Sequence, residues 1–95
     1  MTVVFQDYRG YDISDKIQAM KLDEENIKTF FSTLAKELPN SKVELRDIFG
    51  SVKLTWTVGN VKYGARPSDY IIKDPADGYL PIAGHVFEKN FARDI

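Results

Sequence analysis

Cysteine is absent from this 95-residue sequence, which excludes a disulfide scaffold, an iron–sulfur cluster, a Cys-type zinc site and a thiol nucleophile. Histidine occurs once, at His85, and none of Ser14, Ser32, Ser41, Ser51 or Ser68 stands in a Gly-x-Ser-x-Gly elbow. A hydrolytic triad therefore has no sequence support, and an exposed histidine opening the last helix is the plainer reading. The six glycines never cluster, so there is no phosphate loop. No apolar run approaches the roughly eighteen residues of a membrane span. The longest near the start, Val3-Val4-Phe5, meets Gln6, Asp7 and Arg9 at once and is too short for a signal-peptide core. With no cysteine and no targeting signal, the expectation is a cytoplasmic protein. A large excess of one charge is missing too: 13 basic residues face 14 acidic ones, so no overall field points to a polyanion.

What is present is an apolar share of 43% with 13% aromatics, which excludes intrinsic disorder. Ninety-five residues make one domain (1–95) that buries roughly 65% of its unfolded surface, enough to fold without covalent staples.

The clearest periodic segment is 23–38. Ile27, Phe30, Phe31, Leu34, Ala35 and Leu38 form one stripe at the 3.6-residue period of a helix. Asp23 suits the N-cap, Glu24 and Glu25 suit the positive end of the helix dipole, and Lys36 the negative end. Pro39-Asn40 ends it.

The period then changes to two. Val52-Lys53-Leu54-Thr55-Trp56-Thr57-Val58 alternates without a fault, Gly59-Asn60 supplies a type I′ or II′ turn, and Val61 to Ala65 returns. This hairpin sets Val58 against Val61, Trp56 against Tyr63 and Leu54 against Ala65 on one face. Lys53, Thr55, Thr57, Lys62 and Arg66 then lie on the other. Val43-Glu44-Leu45 is expected to pair with the same strand across Phe49-Gly50-Ser51. Further strands are expected at 17–22, 69–73 and 79–82, with Asp74 to Gly78 as a turn. Phe87 and Phe91, at i, i+4 spacing, suggest a short closing helix. The order predicts an α+β domain: one main amphipathic helix packed on a curved antiparallel sheet, with a short C-terminal helix.

The run Arg66-Pro67-Ser68-Asp69-Tyr70-Ile71-Ile72-Lys73, with Asp77-Gly78-Tyr79-Leu80-Pro81 and Val86-Phe87-Glu88-Lys89-Asn90-Phe91 after it, resembles small phage and prophage proteins named for a Pro-Gly-Asp-Tyr motif. These end in a Pro-Gly-Asp-Tyr/Trp-Ile strand, a turn, Glu-x-Tyr-Pro and an Ile-Phe-Glu-Lys-x-Tyr helix. Ile17-Gln18-Ala19-Met20 is similar to the family's opening strand, so the resemblance covers 16–91. Residues 1–15 precede it as an N-terminal arm or edge strand. Ser68 replaces the family glycine, so a left-handed backbone there carries a cost that glycine avoids. The resemblance transfers no catalytic or ligand-binding residue and no cofactor. It implies a phage accessory protein, a kind that commonly binds something of the host.

Other candidate chemistry is thin. Asp74, Asp77 and Glu88 lack the alternating ligands of a calcium loop, and Asp-Pro and Asp-Gly are ordinary turn chemistry. Paired carboxylates for glycoside chemistry find no support beyond solvated acids. Charge is nonetheless segregated. Residues 7–25 hold six acids and three bases, 26–66 three acids and seven bases, and 67–95 five acids and three bases. Lys53, Lys62 and Arg66 on one hairpin face invite a nucleic-acid reading, but Trp56 and Tyr63 point to the other face, so the aromatics of a stacking platform are separated from the cations. A solvated strand face is the competing explanation.

At the N-terminus, Phe5, Tyr8 and Tyr11 interleave with Asp7, Asp12 and Asp15, which suits a protein-binding arm as well as a strand covering the sheet. The leading expectation is thus a non-enzymatic module that binds a host protein, with inhibition of a host-defence nuclease such as a CRISPR effector as one form of it. A nucleic-acid-binding accessory protein using Lys53, Lys62 and Arg66 is the alternative. A structural or self-assembling virion protein is a third.

Overall fold

The computed structural model of the chain describes residues 3–11, 16–74 and 78–93. Its elements run β1 (Gln6–Gly10), β2 (Lys16–Lys21), α1 (Asn26–Glu37), β3 (Val43–Ile48), β4 (Ser51–Val58), β5 (Val61–Ala65), β6 (Tyr70–Asp74), β7 (Gly78–Ile82), α2 (Gly84–Asn90) and β8 (Phe91–Arg93). Asp74 to Gly78 was expected as a turn; residues 75–77 lie outside the described residues.

The helical stripe forms α1, which buries Ile27, Phe30 and Leu34 and leaves Ala35 exposed. Its regular span opens at Asn26, one turn after Asp23, whose carbonyl already accepts from the Ile27 amide at 3.1 Å. The Asp23 carboxylate accepts from the amides of Glu25 (2.8 Å) and Asn26 (2.7 Å), and the Asn26 carboxamide oxygen accepts from the Asp23 amide (2.7 Å). This is the reciprocal geometry of a capping box, with Asp23 supplying the carboxylate.

The alternating run forms β4 and pairs as its turn requires: Leu54 opposes Ala65, Trp56 opposes Tyr63, and Val58 opposes Val61. Gly59 takes φ 61° while Asn60 stays at negative φ, the pattern of a type II′ turn. Trp56 and Tyr63 stack on the inner face at 5.7 Å, and Trp56 is 1% exposed.

The expectation of one main helix on a single curved sheet is overturned. The strands form two sheets, one ordered β7-β6-β2-β1-β8 and the other β3-β4-β5. Strands take 51% of the described residues and the helices are two and short, so the domain is mostly β. The split arises between β5 and β6. Pro67 and Ser68 form the centre of a type II turn, with φ 85° at Ser68 and the Asp69 amide donating to the Arg66 carbonyl at 3.0 Å. The Ser68 amide donates to the Leu22 carbonyl and the Leu22 amide to the Asp69 carbonyl, both at 2.8 Å. These bonds deliver β6 to β2, roughly fifty residues back in sequence, instead of letting it extend the β3–β5 sheet. Gly84 fits against this turn so tightly that a Cβ there would overlap the Ser68 carbonyl oxygen.

The five-stranded sheet is covered on both faces. One face joins α1 and the inner face of β3–β5 in a core of Met20, Leu22, Phe30, Leu54, Trp56 and Ile71, among others. Phe30 lies edge-on to both Trp56 and Tyr79, at 5.9 and 5.2 Å between ring centres. The other face packs Tyr8, Ala19 and Tyr70 against Phe87 of α2. Tyr70 and Phe87 stack at 4.0 Å, and the Tyr70 hydroxyl donates to Glu88 at 2.9 Å. Among the described residues no helix is long and apolar enough to cross a membrane.

Candidate functional site

Pairing places three rows of side chains across the outer face of β3–β4–β5. Arg46 opposes Lys53, and Arg66, one step past Ala65, comes beside Lys53 at the end of β5. Glu44, Thr55 and Gly64 form the middle row, and Thr57 opposes Lys62 in the third, with Lys42 entering β3 at that end. The outer rows are separated by four residues of strand, roughly 13 Å. The floor between them is low, since Gly64 has no side chain and the Lys53 stem lies across it, with Cε 3.2 Å from where a Cβ would sit.

Five cations therefore share a face with one carboxylate. Glu44 is neutralised in place: Arg46 donates to it through Nη2 and Nε at 2.8 and 3.0 Å, and Lys42 reaches it at 3.1 Å. The Arg46 hydrogen bonds, then that of Lys42, hold its carboxyl below the usual carboxylate range. Among the described residues Lys53, Lys62 and Arg66 have no carboxylate partner. The local excess of positive charge is thus open to solvent although the whole chain is near neutral.

The β3–β4 turn adds an aromatic group at the Arg46–Lys53–Arg66 end. Ile48 pairs with Ser51, so Phe49-Gly50 is a two-residue turn, with φ 53° and 81° and the Gly50 amide donating to Asp47 Oδ1 at 3.0 Å. Positive φ at both centres is the type I′ pattern, which normally selects Asn-Gly. Phe49 is fully exposed (104%) and Ile48 is 55% exposed. Phe49, Ser51 and Arg66 border one depression of about 340 Å³, which Glu24 also borders.

The N-terminal candidates are divided. Phe5 is half-buried and stacks on Tyr79 at 5.8 Å; Tyr8 is 7% exposed, edge-on to Phe87 at 4.9 Å. β1 lies between β2 and β8, not at an edge, so Tyr8 is committed to the interior, while Phe5, just before β1, packs partly buried against the α1-side core. Asp7 and Tyr11 are exposed, and Asp12 and Asp15 lie outside the described residues. His85 is exposed at the start of α2. Glu88 is engaged by Tyr70 and by Lys21 at 3.3 Å, and these contacts, Tyr70 first, lower its carboxyl pKa. Asp77 lies outside the described residues, and among those described no three His, Asp or Glu side chains converge on a metal-sized site.

A separate cleft of about 300 Å³ opens between the sheets, lined by Leu38, Trp56, Val58 and Tyr79, with Glu37 and Lys73 beside them. Two acids border it, Asp74 at the end of β6 and Glu37, which accepts from the Tyr79 hydroxyl at 2.6 Å.

Sequence reasoning found Lys53, Lys62 and Arg66 but missed Lys42, Arg46 and Phe49. The alternation of Val43 to Arg46 already assigns Glu44 and Arg46 to the outer face. A bulky residue in a two-residue turn between alternating runs was the available signal for Phe49. No family model, no curated protein and no solved structure matches the chain.

Proposed function

We propose that this chain is a non-enzymatic binding module whose working surface is the outer face of β3–β4–β5, and that its partner is a nucleic acid held through phosphates. The observation that carries this reading is the pair of cationic rows, with five cations to one neutralised carboxylate, over a low floor of threonine and glycine. Such a face offers countercharge without a pocket, which suits an extended polyanion better than a small molecule. The resemblance to phage proteins supports a phage accessory role in the host cytoplasm.

The test is fluorescence anisotropy of the full chain with labelled oligonucleotides across a salt series. Binding should weaken steeply with salt. Replacing Lys53, Lys62 and Arg66 together by Ala should reduce the logarithmic slope by roughly 2, at about 0.7 per single-strand phosphate contact. No retention at low salt would dispose of the reading.

An acidic host protein docked on the same face is the second reading, and the exposure of Ile48 beside Phe49 favours it, because contiguous apolar anchors are typical of protein interfaces. Capture of one specific acidic protein from host lysate, lost with the same triple variant while oligonucleotides fail to bind, would select it.

A further inference from the structure

We infer that Phe49 is a stacking platform for an unpaired base, so that this surface takes single-stranded nucleic acid in preference to duplex; the inference rests on the nucleic-acid reading above. The first argument is conformational. A bulky side chain at φ 53° sits in the left-handed region that Asn or Gly occupies at little cost, and being fully exposed it recovers nothing by packing. Strain kept without an internal return points to a use outside the molecule.

The second argument is placement. The ring stands at the end of the sheet where Arg46, Lys53 and Arg66 form a row, and it borders the same depression as Arg66. Trp56 and Tyr63 cannot serve, because they stack in the core. Phe49 is the exposed ring at the end of the sheet that carries this row, and the depression it shares with Arg66 is also bordered by Glu24. An aromatic face beside a cationic track is the arrangement by which single strands are held without regard to sequence. In a duplex the base faces are already stacked on one another, so the ring has nothing to cover and only the phosphate contacts remain.

The experiment compares a short labelled oligothymidylate with the same strand annealed to its complement, using the wild-type chain, Phe49→Asn and Phe49→Trp. The asparagine variant suits the turn and should melt higher than wild type, so any loss of binding is not a loss of fold. The single strand should bind more tightly than the duplex. Phe49→Asn should weaken single-strand binding roughly 5- to 100-fold, with the salt slope and the duplex affinity unchanged, and Phe49→Trp should retain it. A 2-aminopurine placed in the strand should be quenched by wild type and not by Phe49→Asn. Salt-sensitive binding that treats both forms alike and ignores Phe49→Asn would overturn this inference and leave the nucleic-acid reading standing. Failure of both oligonucleotides to bind at low salt would overturn both.

Discussion

Ser68→Gly should stabilise this protein. Ser68 holds φ 85° at the third position of a type II turn, where an L-residue with a Cβ costs about 1–2 kcal/mol relative to glycine. Glycine returns part of that, roughly 0.5–1 kcal/mol, by making the unfolded chain more flexible. Nothing else is lost, since the bond this residue makes to Leu22 comes from its backbone amide and the side chain is exposed. The net gain is about 0.5–1 kcal/mol, which in a domain of this size raises Tm by roughly 2–8 °C. Differential scanning calorimetry of wild type, Ser68→Gly and Ser68→Ala separates the causes. Alanine keeps the Cβ and should gain little. If the glycine variant melts at or below wild type, or if alanine matches it, the backbone argument is wrong.

Gly84→Ala should act in the opposite direction on the same corner. Its methyl would overlap the Ser68 carbonyl and push α2 from the turn, costing roughly 1–3 kcal/mol; an unchanged urea midpoint would contradict the packing. At high pH, two of the five tyrosines should titrate late. Burial, then the hydrogen bonds to Glu88 and Glu37, push Tyr70 and Tyr79 up to about 12 from 10.0. Because these folded-state values are raised, their contribution is complete below pH 10 and is lost as pH rises from 10 through 12. Tyrosinate absorbance should show the late steps, and Tyr70→Phe and Tyr79→Phe should each remove one; uniform titration near 10 while the protein remains folded would refute it. Glu88 has the reverse sign. Its lowered value means stability present above 4.5 and lost as pH falls through the folded-state value, so Glu88→Gln should flatten the acid limb of a Tm–pH profile.

Much of the local structure could be read directly from the order of residues. The stripe from Ile27 to Leu34 forms a helix because spacing alone brings those residues to one side. The β4–β5 register follows from Gly59-Asn60, since a two-residue turn leaves one way to align the strands. The outward position of Lys53 and Lys62 follows in turn. β1 and β8 were less legible: Gln6 to Gly10 has little alternation, and Phe91 to Arg93 is three residues long. β8 exists as a strand because it pairs with β1, eighty-odd residues back, and β1 because it lies between β2 and β8.

Sequence by itself thus determined the elements whose cause lies within a few neighbours: the capped helix and the faultless hairpin. Only the tertiary structure decided that the strands divide into two sheets and that Tyr8 goes inward between β2 and β8. Those outcomes depend on which distant strands share hydrogen bonds, β2 with β6 and β1 with β8. Alternation tells a residue which side to take, but not which strand will lie beside it.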